Sequence, residues 1–222
     1  MNSLINFFAG FIWVLLIGTP AFALLQTNQV ILVDDFEETG PANRLGGFNE
    51  GDEKPAGTCL IRLIAGEEAY GGSGASLALD YDVSEEDSFS SFKAGLAGKN
   101  RAERARLSEM RYISFWVKVP APEARLPEFE LEIRQDTDGD GQFSLGRDLA
   151  ERLAAARFIS GPEKSGWHKI VIPLSRFRKI TDWDEIVEIS LIFDNRRGPR
   201  KGSLFVDDLL WGSNYPEAFS GR

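Results

Sequence analysis

Three groups of carboxylates in this chain have the types and spacing to hold a hard cation. One is Asp136-Thr137-Asp138-Gly139-Asp140-Gly141-Gln142-Phe143-Ser144. Acids at loop positions 1, 3 and 5 followed by glycine match the start of an EF-hand calcium loop, and Phe143 falls at its apolar position. The match fails at position 12, which is Arg147, and no entering helix precedes it. The expectation is a strand-loop calcium site built from Asp136, Asp138 and Asp140, with Asp148 supplying a further carboxylate. The competing reading is an acidic hairpin turn. The other two groups end apolar runs: Asp34-Asp35-Phe36-Glu37 after Val30-Ile31-Leu32-Val33, and Asp207-Asp208 inside Gly202 to Trp211. A carboxylate within a strand is costly unless it is paired or binds a cation. The first and last strands should therefore lie side by side, with their acids meeting at calcium. Asn43-Arg44-Leu45-Gly46-Gly47 would add backbone carbonyls beside Glu37.

Other chemistries are poorly supplied. His168 is the only histidine and Cys59 the only cysteine, so neither a His-based metal site nor an intramolecular disulfide can be assembled. Cys59 sits in Thr58 to Ile64, an apolar strand, and reads as a small buried hydrophobe. Gly71-Gly72-Ser73-Gly74-Ala75 is neither a nucleophile elbow nor a phosphate loop. Sugar binding is better provided for. Sugars stack their C–H faces on aromatic rings and offer hydroxyls to planar polar groups. Trp116, Glu132, Arg134, Asp80 and Asp82 all fall on outward positions of alternating strands. If those strands are neighbours, Trp116 is a stacking platform and Arg134 with an acid is a polar clamp. The alternative is that residues 84–110 cover Trp116 and make it core.

The elements that must position these residues are strands. Leu77, Leu79, Tyr81 and Val83 alternate with Ala78, Asp80 and Asp82; Ile113, Phe115, Val117 and Val119 alternate with Ser114, Trp116 and Lys118. Leu131 and Ile133 alternate with Glu130, Glu132 and Arg134. This period of two marks half-buried strands. Further strands are expected at His168 to Ile172, Glu188 to Asp194 and Gly202 to Trp211. Residues 84–110 read as a polar loop or short helix. Asp148 to Ser160 reads as a helical turn leading into a strand.

Residues 1–23 read as a signal peptide: an uncharged apolar run from Phe7 to Ile17, then Pro20 and Ala21-Phe22-Ala23. Met1 to Asn6 carries no Lys or Arg, so an uncleaved anchor is the second reading. The expectation is export to the periplasm or beyond the cell, with no stable membrane insertion after cleavage. Residues 24–212 would then form one sandwich domain and 213–222 a tail. The net charge of −9 argues against nucleic acid as a partner.

The ordered series Asp35-Phe36-Glu37, Gly74 to Val83, Ile113 to Val117, Gly166 to Phe177 and Val206-Asp207-Asp208-Leu209 resembles the galactose-binding-like jelly rolls. These include many carbohydrate-binding modules; the family-11 modules and the complex I intermediate-associated protein 30 family are similar. The resemblance implies an all-β, two-sheet jelly-roll sandwich. It also implies a structural calcium held by Glu37 and Asp207, with Asp35 and Asp208 less firmly placed because strand neighbours face opposite ways. The function expected is a non-catalytic, exported module that binds a polysaccharide or oligosaccharide. An assembly protein using the sandwich to bind another protein is the alternative, and a polysaccharide lyase or hydrolase on the same fold is a third reading.

Overall fold

The computed structural model describes residues 28–54, 57–96, 106–120, 126–162 and 166–216. The proposed signal segment and most of Lys99 to Arg106 therefore lie outside the described residues. The strands are β1 (Val30–Asp34), β2 (Asn49–Gly51), β3 (Glu53–Lys54), β4 (Gly57–Ala65), β5 (Ala75–Asp82), β6 (Phe89–Gly95) and β7 (Tyr112–Lys118). They continue with β8 (Glu130–Gln135), β9 (Leu149–Ala154), β10 (Ile159–Pro162), β11 (His168–Pro173), β12 (Ile186–Asp194) and β13 (Lys201–Gly212). Two antiparallel sheets form a jelly-roll sandwich. The larger runs β10-β11-β7-β13-β5-β4-β3, with β1 also on β13, and the smaller runs β2-β6-β12-β8-β9. The helical elements among the described residues are short 3-10 turns.

The alternating residues build the space between the sheets. Leu77, Leu79, Tyr81 and Val83 meet Ile113, Phe115, Val117, Leu131 and Ile133 there. The inward residues of β12, Ile189, Leu191 and Phe193, complete that layer, with Tyr81 stacked on Phe193 at 4.1 Å. Each such side chain contributes about 1.5–3 kcal/mol by leaving water.

Two segments differ from the sequence expectation. Within 84–110 lies β6, whose Phe92 and Ala94 are core but whose Ser90 and Ser91 are also buried. Buried serines hid the strand by breaking its apolar pattern. Leu149 to Ala154 is strand β9 rather than a helical turn; the 3-10 turn follows it at Ala155–Phe158. Pairing with β8 along its whole length overrides the helical spacing of Leu149 and Leu153.

The last strand is the centre of the larger sheet. Residues 201–206 pair with β5, and residues 209–212 pair with β1 on the same side. β7 runs along the other side. The switch falls at Asp207–Asp208, where the register slips and Asp208 takes φ 47. β1 and β5 thus lie end to end beside β13, with a gap between them.

Candidate functional site: a charged sheet face and an acidic gap

The sandwich has two outer faces, and the five proposed sugar residues are divided between them. Trp116, Asp80 and Asp82 belong to the larger sheet, whereas Glu132 and Arg134 belong to the smaller one. Trp116 is not a platform. It is 5% exposed and packs with Ile64, Ala78, Trp167 and Phe205. The cover comes from an unforeseen direction: the glycine-rich turn before β5 folds Tyr70 over the sheet, stacking it on Trp116 at 4.5 Å. Lys169 Nζ lies 5.0 Å from the Trp116 ring centroid. On the same face Asp80 accepts from Arg62 at 2.7 Å and from Ser203. Burial works to raise the Asp80 pKa, but these bonds outweigh it and hold it low. Asp82 pairs with Lys201 at 2.7 Å.

The outer face of the smaller sheet is different. Its rows can be read from the register. One row runs Gly95, Glu188, Arg134, Ala150. Phe48 extends it at the β2 end, since the Gly95 N–H donates to the Phe48 carbonyl at 2.9 Å. The next row runs Glu50, Lys93, Ser190, Glu132, Arg152. Arg134 joins the rows, with Nε on Glu132 at 2.6 Å and Nη1 on Glu188 at 2.8 Å. Arg152 also donates to Glu132, and Lys93 holds Asp52 at 2.9 Å. The Arg134 guanidinium lies 4.6 Å from the ring centroid of Phe143.

The result is a strip of planar, mutually fixed polar groups bounded by two phenyl rings. Phe48 is 65% exposed and Phe143 half-buried. Between them, Gly95 puts no side chain on the surface. Three strand spacings separate Phe48 from Arg134, roughly 14 Å. Sequence reasoning placed Glu132 and Arg134 but missed Phe48, Gly95 and Glu188. The available signal was a lone aromatic, Phe48, directly after Gly46-Gly47. The strip offers little for proton transfer, because Glu132 and Glu188 are both tied to Arg134. His168 belongs to the other sheet, opposite Val117.

The acids of the chain ends gather at the gap in the larger sheet. Glu37 accepts from the Ala75 N–H at 3.1 Å, and a side chain at Gly74 would collide with its carboxylate. Asp207, buried, accepts from the Ser76 hydroxyl and, at 2.7 Å, from the Asp208 N–H. Burial pushes the Asp207 pKa up to about 7; these bonds oppose the rise and the charges of Asp208 and Glu37 add to it. Burial also raises Asp208, helped by Asp35 and Glu37 and opposed by Lys169. The register slip at Asp207–Asp208 leaves both within electrostatic reach of Glu37. Asp35 is engaged elsewhere, with Arg44 at 3.0 Å. The Asn43 and Gly47 carbonyls accept bonds within their own loop. A buried carboxylate held among other carboxylates fits a hard cation. Among the described residues, however, Glu37, Asp207 and Asp208 do not bring an oxygen each within 4.8 Å of one another.

The hairpin loop between β8 and β9 forms the other acidic cluster. Asp136, Asp138 and Asp148 bring one carboxylate oxygen each within 4.8 Å of one another; among the described residues no other acidic group does so. Asp140 is not part of that triad; its Oδ1 accepts from the Gln142 N–H at 2.8 Å. Asp136 spans the turn, accepting from Gly139 at 2.7 Å and Gly141 at 2.8 Å. Burial works to raise Asp148, but the N–H groups of Thr137 and Ser144 and the Thr137 hydroxyl outweigh it and hold its pKa low. This triad can bind a metal ion.

Comparison with known proteins supports the fold. No protein-family model matches the chain, and no curated protein matches it in sequence. Solved structures do. The family 11 carbohydrate-binding module from Clostridium thermocellum, in complex with a β-1,3-1,4-mixed-linked tetrasaccharide, is 16% identical with a TM-score of 0.52, covering 82% of this chain and 94% of that one. The family 30 module of the cellulosomal cellulase Cel9D-Cel44B of Clostridium thermocellum is 16% identical with a TM-score of 0.54, covering 84% of this chain and 99% of that one. A β-1,2-glucanase from Parabacteroides distasonis is 15% identical with a TM-score of 0.52, covering 73% of this chain but 22% of the glucanase. The fold is that of the carbohydrate-binding modules.

Proposed function

We propose that this chain is an exported, non-catalytic module that binds a neutral poly- or oligosaccharide on the outer face of its smaller sheet. The observation that carries the reading is the strip from Phe48 to Phe143. Two rings at its ends provide stacking surfaces, and Gly95 leaves room between them. Glu188, Arg134 and Glu132 present fixed acceptors and donors to sugar hydroxyls. Each acid on the strip has a cationic partner, which suits an uncharged chain. The likeness to a family 11 module seen with a tetrasaccharide supports the same reading. Calcium is the proposed cation in both places. At the chain-end gap it would brace β1 against β5, and in the β8–β9 hairpin it would fix the loop that carries Phe143.

The test is a binding screen of the purified protein, in calcium, against plant, algal and bacterial glycans by affinity electrophoresis. The expected result is a saturable hit that Phe48→Ala and Phe143→Ala each weaken about tenfold, about 1.4 kcal/mol, with the melting temperature unchanged. Retardation by no glycan would overturn the reading. It would favour protein contact, for which Leu145, 93% exposed in the loop between β8 and β9, is a candidate apolar residue.

A further inference from the structure

A cavity of about 290 Å³ opens at a corner of the sandwich, beside the turn that carries Glu37 into the acidic gap. Its walls are Phe36, Leu77, Ile61 and Leu63, and its polar lining includes Asp34 and Asn49. Ile61 and Leu63 face inward, as shown by their pairing with Leu79 and Leu77. Inward leucines are normally sealed, yet Leu63 is 36% exposed while its partner Leu77 is 4% exposed. The two sheets do not close here. The reason is local: Phe36, at φ 52, turns the chain away after β1, and β2 is only three residues long.

The polar lining is unusual in having buried acceptors without matching cations. Asp34 is 6% exposed, and its hydrogen-bond partners are both neutral, the Phe36 N–H at 2.8 Å and the Asn49 side-chain amide. Asn49 is 8% exposed, and its Oδ1 has no hydrogen-bond partner. Leaving such a buried group unpaired is unfavourable. The charged residues at the rim are already occupied. Arg62 donates to Asp80 at 2.7 Å, and Glu38 accepts from Arg44 at 2.5 Å. The corner therefore combines an aliphatic wall, an unpaired amide oxygen and a buried carboxylate with no cation in direct contact, Arg44 acting on it only from a distance.

We propose that this corner is a second ligand site, one that takes a primary alkylammonium group. The ammonium donates to Asn49 Oδ1 and to the Asp34 carboxylate, and the alkyl chain lies along Ile61, Leu63 and Leu77. A hydroxyl on the same chain would satisfy the amide but not neutralise the carboxylate. The volume admits one lysine-sized chain or a small aliphatic amine.

The experiment is an amide and side-chain NMR titration of the whole protein with three probes: n-pentylamine, n-pentanol and Nα-acetyl-lysine amide. The expected result is saturable shifts with pentylamine, centred on the Asn49 side-chain amide and the Phe36 and Leu63 backbone amides. Pentanol should bind at least tenfold more weakly. Equal binding of acetyl-lysine amide would assign the site to lysines borne by another protein; binding of pentylamine alone would assign it to free amines. Leu63→Trp plugs the mouth without touching the polar floor and should abolish the shifts while leaving the melting temperature within a few degrees. Asp34→Asn should bring pentylamine down to the level of pentanol. No saturable shift with any probe, as from a corner filled only by water, would overturn the proposal. So would equal affinity for pentylamine and pentanol, or undiminished binding in Leu63→Trp.

Discussion

Asp207→Asn separates the charge of the chain-end site from its shape. The amide keeps the bond from the Asp208 N–H, and its NH₂ can donate to the Ser76 oxygen once that hydroxyl rotates. Only the charge is lost. With the folded pKa of Asp207 pushed from 3.8 up to about 7, its ionised form is disfavoured by about three pKa units. At about 1.36 kcal/mol per unit this has a ceiling of roughly 4 kcal/mol, and residual water at the gap lowers it to about 2–3 kcal/mol. The sign follows from linkage. A carboxyl whose folded pKa is raised makes the native state bind more protons, so its contribution falls as pH rises from about 4 to about 7 and is flat above that. In chelator at pH 8, Asp207→Asn should therefore melt above the parent protein by roughly 5–10 °C, and the two should converge toward pH 4. Calcium should reverse the order once it is well in excess. At one thousand times its dissociation constant it adds about 4.1 kcal/mol to the parent protein, more than the deficit. The variant should gain only what the hairpin site gives. The assay is thermal unfolding of both proteins across pH, with and without calcium. Equal melting temperatures in chelator at pH 8, or an equal gain in calcium, would refute the reasoning.

Trp116→Ala should destabilise the domain by about 3–5 kcal/mol through the cavity left beneath Tyr70, seen as a lower urea midpoint, while glycan retardation persists wherever the protein is folded. Loss of retardation with an unchanged midpoint would return Trp116 to the binding face. Cys59 is buried and desolvation pushes its thiol pKa up to about 12; iodoacetamide at pH 8 should label it more than a hundredfold faster in denaturant than in the native protein, and rapid native labelling would contradict its placement. Asp148→Asn should weaken calcium binding to the hairpin and lower glycan affinity several-fold through Phe143, with titration calorimetry separating the two effects; unchanged calcium stoichiometry would exclude the triad.

The strands that carry clean alternation, β5, β7 and β8, were readable because one face of each is almost wholly apolar. The pairing of first and last strands was also readable, from acids terminating both apolar runs. What the sequence hid has physical causes. Buried Ser90 and Ser91 disguised β6. The position of Trp116 beneath Tyr70 depends on a turn whose glycines take positive φ, which composition alone does not aim. Glu132 and Arg134 were expected on an outward face, where they lie paired, but their neighbours were not foreseen. The row linking them to Phe48 is a matter of strand order, and β2, three residues long, leaves almost no periodic trace. The candidate triad lost Asp140 for a similar reason: alternate spacing brings acids near one another without deciding which turn onto backbone N–H groups.

The central place of β13 has a consequence for how the molecule is made. Residues 201–212 supply the shared neighbour of β1, β5 and β7, three strands drawn from far apart in the chain. Until those residues emerge from the ribosome, the larger sheet has an open slot where its middle should be. Synthesis must therefore pass residue 212 before the sandwich can cooperate, and closure is non-local and slow by its topology. A chain stopped at Arg200 should remain protease-sensitive and bind hydrophobic dyes; a sharp melting transition from that truncation would contradict this. The nascent domain is thereby held in a loose state until its last strand is made, the condition in which a polypeptide can still be threaded through a narrow channel.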